Sequence, residues 1–255
     1  MKTEPNSRWV KRAESQGGYA KFHVHRQGKK IACYSLSPKQ NFSADENSPI
    51  VIFSHPISRK AKFFFSDTER SLAYLNKGWT VFAFDYNGFG ESEVIDLYYW
   101  QDVVAVLNYL KAQFPNRKMV LHGASFGAFH IIRAMEHLPQ NSSVILENVN
   151  KSLLSYWQRW PLTSFLVKIL LLARVRPVLD MNVRSVVKSF ARPDLHIQFI
   201  ACEDDDLTTL AEMRELYEDL ATTNKTFTVF AGAGHLAAPA KDPHLYETAL
   251  FGRGS

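Results

Sequence analysis

Hydrophobic positions along this chain follow two rhythms, and the way they alternate sets the fold. Residues 19–26 alternate apolar and polar, Gln27-Gly28 makes a turn, and residues 30–36 return, which predicts an antiparallel hairpin. After a polar loop over 38–49, short apolar runs recur at 50–53, 80–85, 119–122, 144–147, 196–201 and 227–230. They are short and mostly continuous rather than strictly alternating, as expected of strands covered on both faces. Helical periodicity fills the gaps at 64–76, 98–114, 125–137 and 208–220. Lys77-Gly78 closes the first of these helices as a glycine cap, and Pro115 stops the second. The pattern predicts an α/β fold: a mostly parallel eight-stranded sheet flanked by helices, with the hairpin at its start.

One interval breaks the rhythm. Roughly fifty residues separate the strands at 144 and 196, several times what a crossover needs. This interval carries Trp157, Trp160, Phe165 and the apolar run 166–172, punctuated by Pro161 and Pro177. It is expected to form a helical cap over 151–194, inserted into a core made of 18–150 and 195–250. Residues 1–17 read as an N-terminal extension and 251–255 as a flexible tail.

Composition narrows the function. Apolar residues make up 46% and charged residues 22%, enough for a large core. The net charge is +5, spread along the chain with small groups at Lys29-Lys30 and Arg59-Lys60-Ala61-Lys62. With no basic-aromatic module beside it, this charge predicts no nucleic-acid binding and a modest attraction for anionic substrates or lipid. The two cysteines, Cys33 and Cys202, fall in predicted strands and suggest buried thiols, with no disulfide framework. Residues 1–17 lack the apolar core of a signal peptide, and the apolar stretch 164–175 is too short to span a bilayer and contains Lys168 and Arg174. A cytoplasmic protein is expected. The stretch 161–176 fits either an interfacial helix, with peripheral membrane contact through the cap, or the cap's own core. No cofactor or metal is implied, and the oligomeric state is not encoded in any visible motif.

Sites in open α/β sheets form at the carboxyl ends of the strands. At the end of the 119–122 strand stands Gly123-Ala124-Ser125-Phe126-Gly127, followed at once by a helix. This G-x-S-x-G pattern in a strand–turn–helix setting is the nucleophile elbow, with Ser125 on the tight turn and small residues where neighbours crowd. The N–H groups of the following helix favour negative charge at that point. A serine needs a base, and His235 stands in the glycine-flanked loop past the last strand. The base needs an acid, and Glu203, Asp204, Asp205 and Asp206 follow the 196–201 strand. Two backbone donors should bind an oxyanion: the N–H of Phe126, and that of Ile57 in the loop after the 50–53 strand, because Pro56 has none. His55 in the same loop is assigned a structural role.

These motifs resemble the α/β-hydrolase superfamily over roughly residues 18–250. Asp85-Tyr86-Asn87-Gly88-Phe89-Gly90-Glu91-Ser92 is similar to its D-x-x-G-x-G-x-S stretch, and His55-Pro56 to its His-Gly pair, with proline in place of glycine. The order Ser125, acid, His235 is the superfamily order. Its register for the acid implies Asp205, with Asp204 and Asp206 as alternatives and Thr208 where the superfamily has valine. The stretch Ile145-Leu146-Glu147-Asn148 is similar to the Bem46 type of serine hydrolase. The resemblance implies cleavage of a carboxylic ester or thioester through an acyl-enzyme. Acyl transfer to another acceptor would use the same residues, and a non-catalytic binding protein could retain the fold.

Overall fold

The structure is a computed structural model that describes residues 18–37, 48–58, 60–65, 69–140, 142–154, 161–175, 182–190 and 192–252. The predicted N-terminal extension, Trp157, Trp160, Pro177 and most of the 38–49 loop lie outside the described residues. Eight strands form one sheet in the order β1-β2-β4-β3-β5-β6-β7-β8. They are β1 (Gly18–Arg26), β2 (Lys29–Ser37), β3 (Ile50–Ser54), β4 (Thr80–Phe84), β5 (Met119–Ala124), β6 (Ser143–Glu147), β7 (His196–Cys202) and β8 (Lys225–Phe230). The hairpin β1–β2 is antiparallel and joins β4 antiparallel, and every pair from β4 to β8 is parallel.

The continuous apolar runs are explained by burial. β3 and β4 are buried at every position, as is β5 from Met119 to Ala124. Helices cover both faces: α1 (Glu69–Asn76), α2 (Tyr99–Gln113), α3 (Phe126–Ala134), α6 (Leu210–Asp219), α7 (Ala238–Lys241) and α8 (Pro243–Phe251). Two side-chain clusters result, one holding Ile52, Leu121 and Leu146, the other Val51, Phe53 and Ile145. Alternate residues of a strand go to opposite faces, so both layers are fed by the same strands.

The predicted helix over 64–76 is shorter in the structure. A 3-10 turn, Ala61–Phe64, precedes α1, and Ala61 has φ +43°. Core packing overrides the helical pattern here. Phe65 is fully buried with its ring 4.1 Å from that of Phe53, and Phe63 stacks on Tyr34 at 5.4 Å. Buried Lys62 reaches Asp85 at 2.5 Å and Glu91 at 2.7 Å, tying this turn to the loop after β4. The glycine cap forms as expected: Gly78 has φ +79° and donates to Leu75 O, and Trp79 donates to Tyr74 O. The helix expected from Thr208 starts later, because Thr209 caps α6 by accepting from Glu212 N. Helices α7 and α8 were not visible in the apolar pattern. Their prolines, Pro239 and Pro243, sit in the first turn, where no intrahelical N–H is needed.

In the cap interval the structure describes α4 (Pro161–Leu172) and α5 (Arg184–Ser189). Val167 of α4 packs with Leu154, Leu171 and Val175 in a small cluster apart from the sheet. Cys33 and Cys202 are buried free thiols. Among the described residues no helix is long and apolar enough to cross a membrane.

Candidate active site

Ser125 follows β5 directly, with φ +52° and ψ −115°. Such a conformation costs a residue with a side chain about 1–3 kcal/mol and persists only where the surroundings impose it. Ser125 N donates to Glu147 O of β6 at 2.8 Å, which pins one side of the turn. Close packing pins the other. A Cβ on Gly127 would lie 1.9 Å from the carbonyl oxygen of Ser54, and one on Gly123 would lie 2.6 Å from the Ala128 backbone. The two glycines of the pattern are therefore required by close approach of the chain to itself.

The four acids after β7 separate by environment. Asp204 and Asp206 are exposed, and Asp205 is buried. Asp205 Oδ2 lies 2.7 Å from His235 Nδ1. That oxygen also accepts from Asn148 Nδ2 at 2.6 Å and from the Thr208 hydroxyl. Asp205 Oδ1 accepts from the N–H groups of Leu207 and Thr208 at 2.8 and 3.0 Å. Burial alone would raise the carboxyl pKa. The bonds from His235 and Thr208 outweigh it and hold the group below the usual aspartate value, as an anion. Glu203 accepts from Gly232 N at 3.0 Å and Asp204 N donates to Ala233 O at 2.9 Å. These two contacts, one through the Glu203 carboxylate and one through the Asp204 main chain, stitch the loops after β7 and β8 together.

His235 is partly exposed, with 22% of its side chain accessible. Ser125, Asp205 and His235 thus stand past the carboxyl ends of β5, β7 and β8, on the same edge of the parallel sheet. Between them the end of β6 supplies Asn148, whose φ of +45° turns its amide onto Asp205. The sequence contains Asn148 beside Glu147, but no local signal shows that it braces the acid.

Other histidines resolve differently. His55 is fully buried. Its Nε2 accepts from Tyr86 N at 3.2 Å, which leaves the proton on Nδ1, and Nδ1 donates to Pro56 O at 2.7 Å. Burial lowers its pKa, so the ring is neutral and both nitrogens are committed to shaping the 54–58 loop. His122 is held between Glu147 at 2.7 Å and Tyr74 OH at 3.1 Å. His130 of α3 lies among Phe126, Tyr86 and Tyr99, where burial pushes its pKa down to about 3. Phe89 and Tyr99 pack on Phe126 at 6.0 and 5.3 Å, forming an aromatic wall next to Ser125.

Ile57 is exposed at 58%, and Phe126 opens α3. Among the described residues no acceptor engages the N–H of either one. Ser54 Oγ bonds Tyr86 OH and Gly127 O, so the β3 loop is fixed against the elbow that carries Phe126. Among the described residues no group of three or more His, Cys, Asp or Glu could hold a metal ion.

A network beneath the site also escaped the sequence patterns. Glu147, fully buried, accepts from Arg70 Nε at 3.0 Å and Nη2 at 2.6 Å, from His122 and from Tyr246 OH. Burial alone would raise its pKa; Arg70 and His122 more than offset this and hold it well below the usual glutamate range. Arg70 Nη2 also donates to Leu236 O at 2.9 Å, next to His235. Leu236 itself has φ +59°. Glu147 is thus tied to Ser125 through its main-chain oxygen and, through its carboxylate and Arg70, to the backbone beside His235.

The sheet order and the strand-end placement of these residues define an α/β-hydrolase fold, the class the motifs resemble. A family model described as serine aminopeptidase, S33, matches residues 46–170. Among solved structures, an esterase of Pyrococcus furiosus superposes with a TM-score of 0.72 at 18% identity, covering 93% of this chain and 91% of that one. An α/β serine hydrolase without a lid from Xanthomonas campestris gives a TM-score of 0.63 at 20% identity, covering 92% and 93%. A thioesterase domain from the curacin biosynthetic pathway gives 0.64 at 14% identity, covering 92% and 100%. No curated protein matches the sequence.

Proposed function

We propose that this protein is a serine hydrolase of carboxylic esters or thioesters. The observation that carries the reading is the buried Asp205 carboxylate on His235 Nδ1, at the same sheet edge as the strained Ser125 elbow. With Nδ1–H committed to Asp205, Nε2 of His235 is the free base. It takes the Ser125 proton as Oγ attacks the acyl carbonyl, and Asp205 stabilises the resulting imidazolium. The N–H groups of Ile57 and Phe126 bind the oxyanion, supported by their lack of other acceptors. The imidazolium then protonates the leaving alcohol or thiol. Water, deprotonated by His235, releases the acid from the acyl-enzyme. The esterase and thioesterase among the similar folds support the substrate class by analogy.

Phe126, Phe89 and Tyr99 beside Ser125 favour an apolar acyl or aryl group. Each methylene buried there should raise kcat/KM by about fourfold. A series of p-nitrophenyl esters and acyl-CoA thioesters of increasing chain length tests this. Rising kcat/KM over the first several carbons is expected. A preference for acetyl would contradict the apolar pocket, and no turnover of any ester or thioester would contradict the class.

A further inference from the structure

We propose that α4 docks the protein on an anionic lipid surface. The helix is apolar on two sides. At about 3.6 residues per turn, Val167 and Leu171 share one side, which packs on Leu154 and on Val175 just past the helix end. Leu162, Phe165, Leu166, Ile169 and Leu172 share the opposite side, with exposures from 44% to 85%. An apolar stripe facing water across three turns is not needed for the helix's own packing, which the first side provides. Contiguous apolar patches of this kind mark interaction surfaces.

Charge selects the occupant. The sequence from Lys151 to Leu179 contains no Asp or Glu, and five cations: Lys151, Arg159, Lys168, Arg174 and Arg176. Within the described part, Lys168 and Arg174 are exposed beside the stripe, and among the described residues no acid pairs with either. An apolar face flanked by unpaired cations matches a membrane interface, where acyl chains take the apolar side chains and anionic headgroups the cations. A second copy of the same face would bring like charges together. This docking is independent of the chemistry at Ser125, so Ser125→Ala protein should dock like wild type.

Co-sedimentation with phosphatidylcholine vesicles, with and without phosphatidylglycerol, tests it. Wild type should pellet about tenfold more with anionic vesicles than with phosphatidylcholine alone, and added salt should release it. Leu166→Glu/Ile169→Glu should abolish pelleting with folding intact, because both residues are exposed, and Lys168→Glu should weaken it. Three results would overturn the proposal: wild type remaining in the supernatant, pelleting unchanged in the double variant, or sedimentation velocity showing a dimer that the double variant dissolves. A fall in kcat/KM for a soluble short ester in the double variant, with vesicle binding unchanged, would also overturn it and make the face the roof of the pocket.

Discussion

Asp205→Asn is expected to lower kcat for ester hydrolysis by roughly three to four orders of magnitude. In the wild-type protein Asp205 Oδ2 receives three donors at once: His235 Nδ1, Asn148 Nδ2 and the Thr208 hydroxyl. An amide must present NH2 on one side. If its nitrogen takes the Oδ2 position, donor faces donor and His235 is driven to the wrong tautomer. If it takes the Oδ1 position, it faces the N–H groups of Leu207 and Thr208. Neither orientation satisfies the site. Unfolding should also become easier by about 1–3 kcal/mol, the usual cost of an unsatisfied buried polar group. Asp204→Asn and Asp206→Asn, at exposed positions, should change kcat by less than about threefold. Steady-state kinetics on the three purified variants decides between them. A large loss at 204 or 206 instead of 205 would move the acid.

The depressed pKa of Asp205 adds a pH signature. A carboxyl whose folded pKa lies below its unfolded value stabilises the protein above the unfolded value, near 4 for aspartate, and that stability is lost as pH falls through the folded value. Wild type should therefore lose stability on acidification more steeply than Asp205→Asn, which has already forfeited this contribution.

The second large effect is expected from the Arg70–Glu147 pair. Both residues are buried, and Arg70→Met or Glu147→Leu would each strand the partner's charge in the core. Breaking a buried pair in this way costs about 3–5 kcal/mol, whereas replacing both partners with apolar residues is often close to neutral. The double variant should therefore recover much of the stability that either single variant loses, as measured by denaturant unfolding. Activity should not recover with it. Arg70 also holds Leu236 O beside His235, and neither replacement supplies that donor. Full recovery of kcat in the double variant would show that the network does not position the histidine loop.

Much of this architecture was legible in the sequence because burial on both faces leaves a continuous apolar run, clearest at β3, β4 and β5. All eight strands fall where such runs or the opening hairpin predicted them. The elbow was legible for a related reason, since Gly123 and Gly127 are both forced by contacts that any side chain would violate. What was not legible depends on distant partners. Phe64 and Phe65 read as the start of a helix, yet Phe64 ends a 3-10 turn and Phe65 is drawn inward by Phe53. Arg70 and Glu147 are 77 residues apart, and neither has a local motif. Three consecutive aspartates carry no local physical signal that separates them, and only the superfamily register pointed to Asp205. Burial and the donors of Asn148 and Thr208 distinguish Asp205, and both come from the fold.

If Ser125 is the nucleophile, a serine-directed electrophile will modify that residue and no other. Treatment with a fluorophosphonate probe followed by intact-mass analysis should show one adduct on the wild-type protein, localised to Ser125 by peptide mapping and absent from Ser125→Ala. An adduct of equal stoichiometry on Ser125→Ala, or a folded wild-type protein that takes no label, would contradict it.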